Sequence, residues 1–129
     1  MRRKRPRVTG KALVTHLRKA NRHEFFQLAV RPVSGRAHIP GVGVVHVTLP
    51  PRYTHQAIYH RRTREWMFIL KGTGNAVLGR RIVRLRPGSI VYIPPGMMHQ
   101  MSTQSSAIEA LVLFSPPMSM DERRMDVCR

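Results

Sequence analysis

A chain of 129 residues, 42% of them hydrophobic, is sized for one compact domain with a buried core, which excludes global disorder. Its one cysteine, Cys128, cannot form an internal bridge, so a disulfide scaffold is excluded and nothing points to an oxidising compartment. The net charge of +17 draws polyanions at low salt, but no helix-turn-helix, zinc-finger or aromatic-basic pattern is present, so any nucleic-acid contact is expected to be non-specific.

Residues 1–10 read as a basic arm carrying Arg2, Arg3, Lys4, Arg5 and Arg7. No apolar h-region follows the arm and no stretch is apolar enough for a bilayer, so a cytoplasmic protein without membrane contact is expected. In residues 11–21 the apolar Ala12, Leu13, Leu17 and Ala20 fall at helical spacing, predicting one short helix that ends near Asn21. From residue 24 onward short β-type runs alternate with glycine and proline punctuation. The first is 24–30, closed by Pro32, Ser34 and Gly35. Next come 43–49, ending at Pro50-Pro51, then 56–60, and 65–71 running into Gly72-Thr73-Gly74. Runs 75–79 and 81–86 meet at Gly79-Arg80, with Ile82 out of step with Val83 and Leu85, and Pro87-Gly88 leads into 89–93. After Pro94-Pro95-Gly96, runs 97–101 and 107–114 complete the set, and Pro116-Pro117 opens a polar tail, 116–129.

Eight or nine short strands without long intervening helices argue against alternating β-α-β architecture. The expected fold is all-β, an antiparallel jelly-roll barrel with a short N-terminal helix, spanning 11–115 between arm and tail.

Between Glu24 and Glu109 the only carboxylate is Glu65, at the head of an otherwise apolar run and five residues after His60. His99 follows the rigid Pro94-Pro95-Gly96 corner. Two imidazoles and one carboxylate brought together form a facial site that leaves coordination positions open, and such donors suit Fe, Mn, Ni, Zn or Cu.

The spacing resembles the cupin superfamily over roughly residues 25–115. Gly88-SIVYI-Pro94-Pro95-Gly96-MM-His99-QMS-Thr103 is similar to the second cupin motif at every position but the last, where Thr103 replaces asparagine. His60-RRTR-Glu65-WMFILK-Gly72 is similar to the first motif, except that the family's leading histidine falls at Ile58. The resemblance implies a barrel holding a metal between His60, Glu65 and His99, in a protein that forms homodimers. Because Ile58 cannot bind metal, a fourth ligand is sought elsewhere, with His55 first and His46 behind it. Gln56, which shares strand parity with His60, is a candidate substrate contact or weak oxygen ligand, and Tyr92 and Met101 are candidate substrate contacts. Met97, Met98 and Met101 are expected to fill an irregular apolar pocket around His99.

The leading functional expectation is a metal-dependent enzyme, dioxygenase- or isomerase-like, acting on a small oxygenated substrate. Arg61, Arg62 and Arg64 at the expected pocket rim favour an anionic one. The alternative is a non-enzymatic barrel that binds or senses a small molecule, which the loss of a histidine at Ile58 supports. Fold analogy does not choose the reaction.

Overall fold

The computed structural model describes residues 3–10, 12, 14–33 and 41–129. Arg2 of the arm, Lys11 and Leu13 of the expected helix, and the Ser34-Gly35 turn lie outside the described residues. Nine strands are described: β1 (His23–Phe25), β2 (Leu28–Pro32), β3 (Gly43–Leu49), β4 (Arg64–Lys71), β5 (Gly74–Leu78), β6 (Arg81–Leu85), β7 (Ile90–Ile93), β8 (His99–Thr103) and β9 (Ile108–Ser115). They form a six-stranded sheet, β1-β2-β3-β9-β4-β7, and a three-stranded sheet, β6-β5-β8, with every pairing antiparallel.

The inner faces of both sheets supply one core, because successive side chains of a strand point to opposite faces. On β4, Glu65, Met67 and Ile69 point inward while Trp66 and Leu70 stay exposed. Ile108, Ala110 and Val112 of β9 continue that inner face. From the smaller sheet, Ala76, Leu85 and Met101 close over them. Ile82 is on the outer side of β6 and 77% exposed, as its offset from Val83 and Leu85 implies. The chain crosses from β4 to β5 through Gly72, whose φ is +84°, and a Cβ there would stand 1.9 Å from the Ala107 carbonyl oxygen. Only glycine allows that approach.

Three sequence expectations need correction. The helix expected over 11–21 is a single 3-10 turn at Leu17–Lys19, capped by His16 Nδ1, which accepts from Arg18 N. None of its residues is buried, and a short helix with no packed face lacks the contacts that would extend it. The run 24–30 is not one strand but a hairpin, β1-β2, turning at Phe26-Gln27 with φ of 52° and 66°. The left-handed pair matches a type I′ turn without its usual Asn-Gly, so no local signal announced it. Tyr53 Oη donates to the Phe26 carbonyl and holds that turn. The run 56–60 forms no strand, only isolated bridges of Ile58 with His99 and Tyr59 with Cys128.

The second bridge shows where the expected tail goes. Residues 116–129 fold back against the barrel, and Met118, Met120, Met125 and Val127 line its interior. Asp126 pins this strap to the turn before β4. Its carboxylate accepts from the amides of Arg61 (2.9 Å), Arg62 (2.9 Å) and Thr63 (3.0 Å) and from the Thr63 hydroxyl (2.8 Å).

Candidate metal centre

His60 leaves the bridged segment just before the turn clamped by Asp126, and its carbonyl accepts from Gly96 N at 2.7 Å. Glu65, second residue of β4, points inward by strand alternation. His99 opens β8 after the Pro94–Gly96 corner and exchanges both backbone hydrogen bonds with Ile58. These links bring the three side chains together, each at most 6% exposed. His60 Nε2 lies 3.1 Å and His99 Nε2 3.5 Å from Glu65 Oε2. Ligand atoms of all three lie within 4.8 Å of one another.

Backbone carbonyls fix which nitrogen faces the centre. His60 Nδ1 lies 2.5 Å from the Asp126 carbonyl oxygen, and His99 Nδ1 lies 3.0 Å from that of Met97. A carbonyl only accepts, so each Nδ1 carries the hydrogen. In the neutral rings both Nε2 atoms are then lone pairs aimed at a carboxylate, three acceptors without a donor between them. That arrangement needs a cation, and the donor set fits a divalent metal: neighbouring ligands bound at about 2.1 Å stand roughly 3.0–3.4 Å apart. Without a metal, a proton serves. Burial alone would lower the pKa of His60, but the Glu65 hydrogen bond and charge, helped by Asp126, outweigh it and hold it above the ordinary value. Burial lowers the pKa of His99, and Glu65 and the Met97 carbonyl only partly offset this.

His60, Glu65 and His99 line a cavity of ≈ 110 Å³. Apart from His55, Gln56, His60, Glu65 and His99, every lining residue is apolar. Arg61, Arg62 and Arg64 are exposed and do not line it, which removes the reason to expect an anionic substrate.

Residues 45–115 match the family model for the cupin domain. The chain belongs to the cupin family. Solved structures agree on the fold. The structure of KdgF from Halomonas sp. superposes with a TM-score of 0.71 at 21% identity, covering 89% of this cupin and 99% of that chain. Pac13, a Streptomyces nucleoside dehydratase, gives 0.71 at 17%, covering 92% of each chain. A cupin 2 conserved barrel domain protein from Salinispora arenicola gives 0.70 at 15%, covering 82% and 90%. At such identities the likeness concerns the fold alone. A 55-residue stretch is 34% identical to the uncharacterized Streptomyces coelicolor protein SCO3923, covering 43% of this cupin and 52% of its relative. This cupin therefore spans about half the length of that curated relative.

The other candidate residues fare differently in this cupin. His55 is buried, but both ring nitrogens are engaged: Nδ1 donates to the Gln56 carbonyl (2.7 Å) and Nε2 accepts from Met101 N (2.9 Å). No lone pair is left for a metal, so His55 is not a fourth ligand, and burial holds its pKa below the ordinary value. His46 points to the opposite face of β3 from Val45 and Val47, where its Nε2 lies 3.3 Å from Glu109 Oε1. Tyr92 is a correction too: it projects outward from β7, 40% exposed, and packs on Trp66 with ring centroids 4.8 Å apart. Gln56 and Met101 line the cavity, whereas Met97 and Met98 do not. Thr103, the departure from the second motif, accepts from Tyr53 N (3.1 Å) and donates to the Pro50 carbonyl (2.5 Å), a purely structural role. Sequence reasoning missed Asp126 and the strap that lines the cavity, although three methionines and a valine in a supposedly polar tail were a usable signal.

Proposed function

We propose that this cupin binds one divalent metal ion through His60, Glu65 and His99 and uses it as an enzyme, of isomerase or dioxygenase type, on a small oxygen-bearing substrate held in the barrel. The convergence of two carbonyl-oriented Nε2 lone pairs on the Glu65 carboxylate carries this reading. When bound, the ion supplies Lewis acidity toward a substrate oxygen or a site for dioxygen. Glu65 contributes the negative charge, the two imidazoles hold the facial geometry, and the apolar walls keep bulk water away from the reacting end. That the Streptomyces neighbour is a nucleoside dehydratase supports reading such a barrel as an enzyme scaffold. Elemental analysis of the untagged protein tests the proposal, with close to one ion of Fe, Mn, Ni, Zn or Cu per chain expected. Ile58 favours a second reading, a metal-free ligand-binding barrel. A chain that stays empty after incubation with all five ions yet still binds an organic ligand would favour it.

Among the described residues no helix is long and apolar enough to cross a membrane. We place the protein in the cytoplasm, on the support of its single cysteine. Family membership supports a homodimer, and sedimentation equilibrium should then give twice the chain mass of 14.8 kDa. The basic arm is expected to act as a polyelectrolyte. Removing residues 1–10 should abolish most DNA retention at low salt, and the intact chain should lose that retention, irrespective of sequence, between about 50 and 200 mM salt.

A further inference from the structure

We propose that the barrel takes a neutral, single-ring aromatic ligand with one oxygen-bearing head group, the head toward His60, Glu65 and His99 and the ring among the methionines. The inference rests on the functional reading above for the position of the head, and on the walls for the rest.

Three observations carry it. First, the cavity offers an anion no basic side chain. The chain has 23 lysines and arginines, yet none of those described lines the cavity. A bound anion would lose its hydration and meet no cation from the walls. Second, beyond the centre the walls have little hydrogen bonding to offer, the exposed Gln56 being their one polar side chain besides His55. No buried side-chain nitrogen or oxygen among the described residues is without a partner, and both nitrogens of His55 are spent on the backbone. A polyhydroxylated ligand would bury more hydroxyls than Gln56 and the centre can satisfy. Third, the apolar wall is unusual in kind. Three of the four phenylalanines and five of the eight methionines line it. Unbranched thioethers adapt to an irregular outline and make favourable contacts with ring edges, as phenyl groups do. The cavity of ≈ 110 Å³ is of the order that holds one aromatic ring.

Isothermal titration calorimetry with 4-methyl-, 4-ethyl- and 4-propylphenol tests this, with uridine and glucose 6-phosphate as polar comparators. Affinity should rise about fourfold per added methylene. Both comparators should bind at least tenfold more weakly than 4-propylphenol. Tighter binding of either comparator, or a flat phenol series, would overturn the inference. The series is run on metal-loaded and on metal-stripped protein. The methylene increment comes from the walls and should survive stripping, so a chain that never takes up metal yet keeps the increment defeats the enzyme reading alone. Met120→Asp, on the strap rather than in the sheets, should weaken 4-propylphenol at least tenfold and leave metal content unchanged. Unaltered phenol affinity in that variant would also overturn the proposal.

Discussion

His99→Ala should yield a folded barrel that no longer retains metal. Loss of an outer partner of a ligand typically weakens metal affinity about 10–100-fold, so loss of one of three protein ligands should cost more than about 100-fold. The structural cost is smaller, because His99 gives its side chain only one protein hydrogen bond outside the centre, to Met97 at 3.0 Å. Truncation of this buried ring should destabilise the metal-free chain by about 1–3 kcal/mol. Thermal unfolding with and without metal separates the two effects. At a free metal concentration of about 100 times Kd the wild type gains about 2.7 kcal/mol, near 10 °C for a domain of this size. His99→Ala should show no metal-dependent shift. Glu65→Gln provides the control for shape. Its amide keeps the volume and can donate to the Nε2 of a neutral histidine, replacing the proton that His60 shares with Glu65 in the metal-free wild type, so the variant should still fold while failing to bind. A near-stoichiometric metal content in either variant would refute the assigned centre.

The parts of the site visible in the sequence were those fixed by local geometry. His99 follows a Pro-Pro-Gly corner, and Glu65 starts a strongly alternating strand, so their spacing carried most of their placement. Residues placed by long-range contacts were less legible. Strand parity put His55 on the wrong side of a strand, but 56–60 is held by bridges and forms no ladder, so parity does not apply there. The fate of its nitrogens then depended on Met101, 46 residues away. Tyr92 was assigned inward although Val91 and Ile93 occupy the inner positions of β7, and the alternation itself excluded it. The strap announced itself only by its apolar residues, and its docking site was hidden for a different reason. Its attachments, the Asp126 clamp and the Tyr59–Cys128 bridge, reach across more than sixty residues, which no local pattern encodes.

Asp126→Ala should release that strap. The change removes the acceptor for four donors of the 61–63 turn, and hydrogen bonds to charged groups are worth about 1.5–3 kcal/mol each when fully buried. Asp126 is only half-buried, and solvent screens its carboxylate in part, so a loss of about 2 kcal/mol is expected for the whole cluster. Because the Asp126 carbonyl also orients His60, metal affinity should fall about tenfold as the strap loosens. The pH dependence follows from the same contacts. Burial pushes the Asp126 pKa up, but the amides of Arg62 and Arg61 and both Thr63 donors outweigh it and lower it from 3.8 to about 2. A carboxylate depressed in the folded state stabilises fully above its unfolded pKa and loses that contribution as pH falls through the folded value. The wild-type strap should therefore stay docked above about pH 4 and loosen between pH 4 and 2, while Asp126→Ala should show no transition of its own in that window. Amide hydrogen exchange at Arg61, Arg62 and Thr63 reads this directly. Exchange should quicken in the variant at neutral pH, and equal protection in the two proteins would mean that the strap is held by its methionines and not by Asp126.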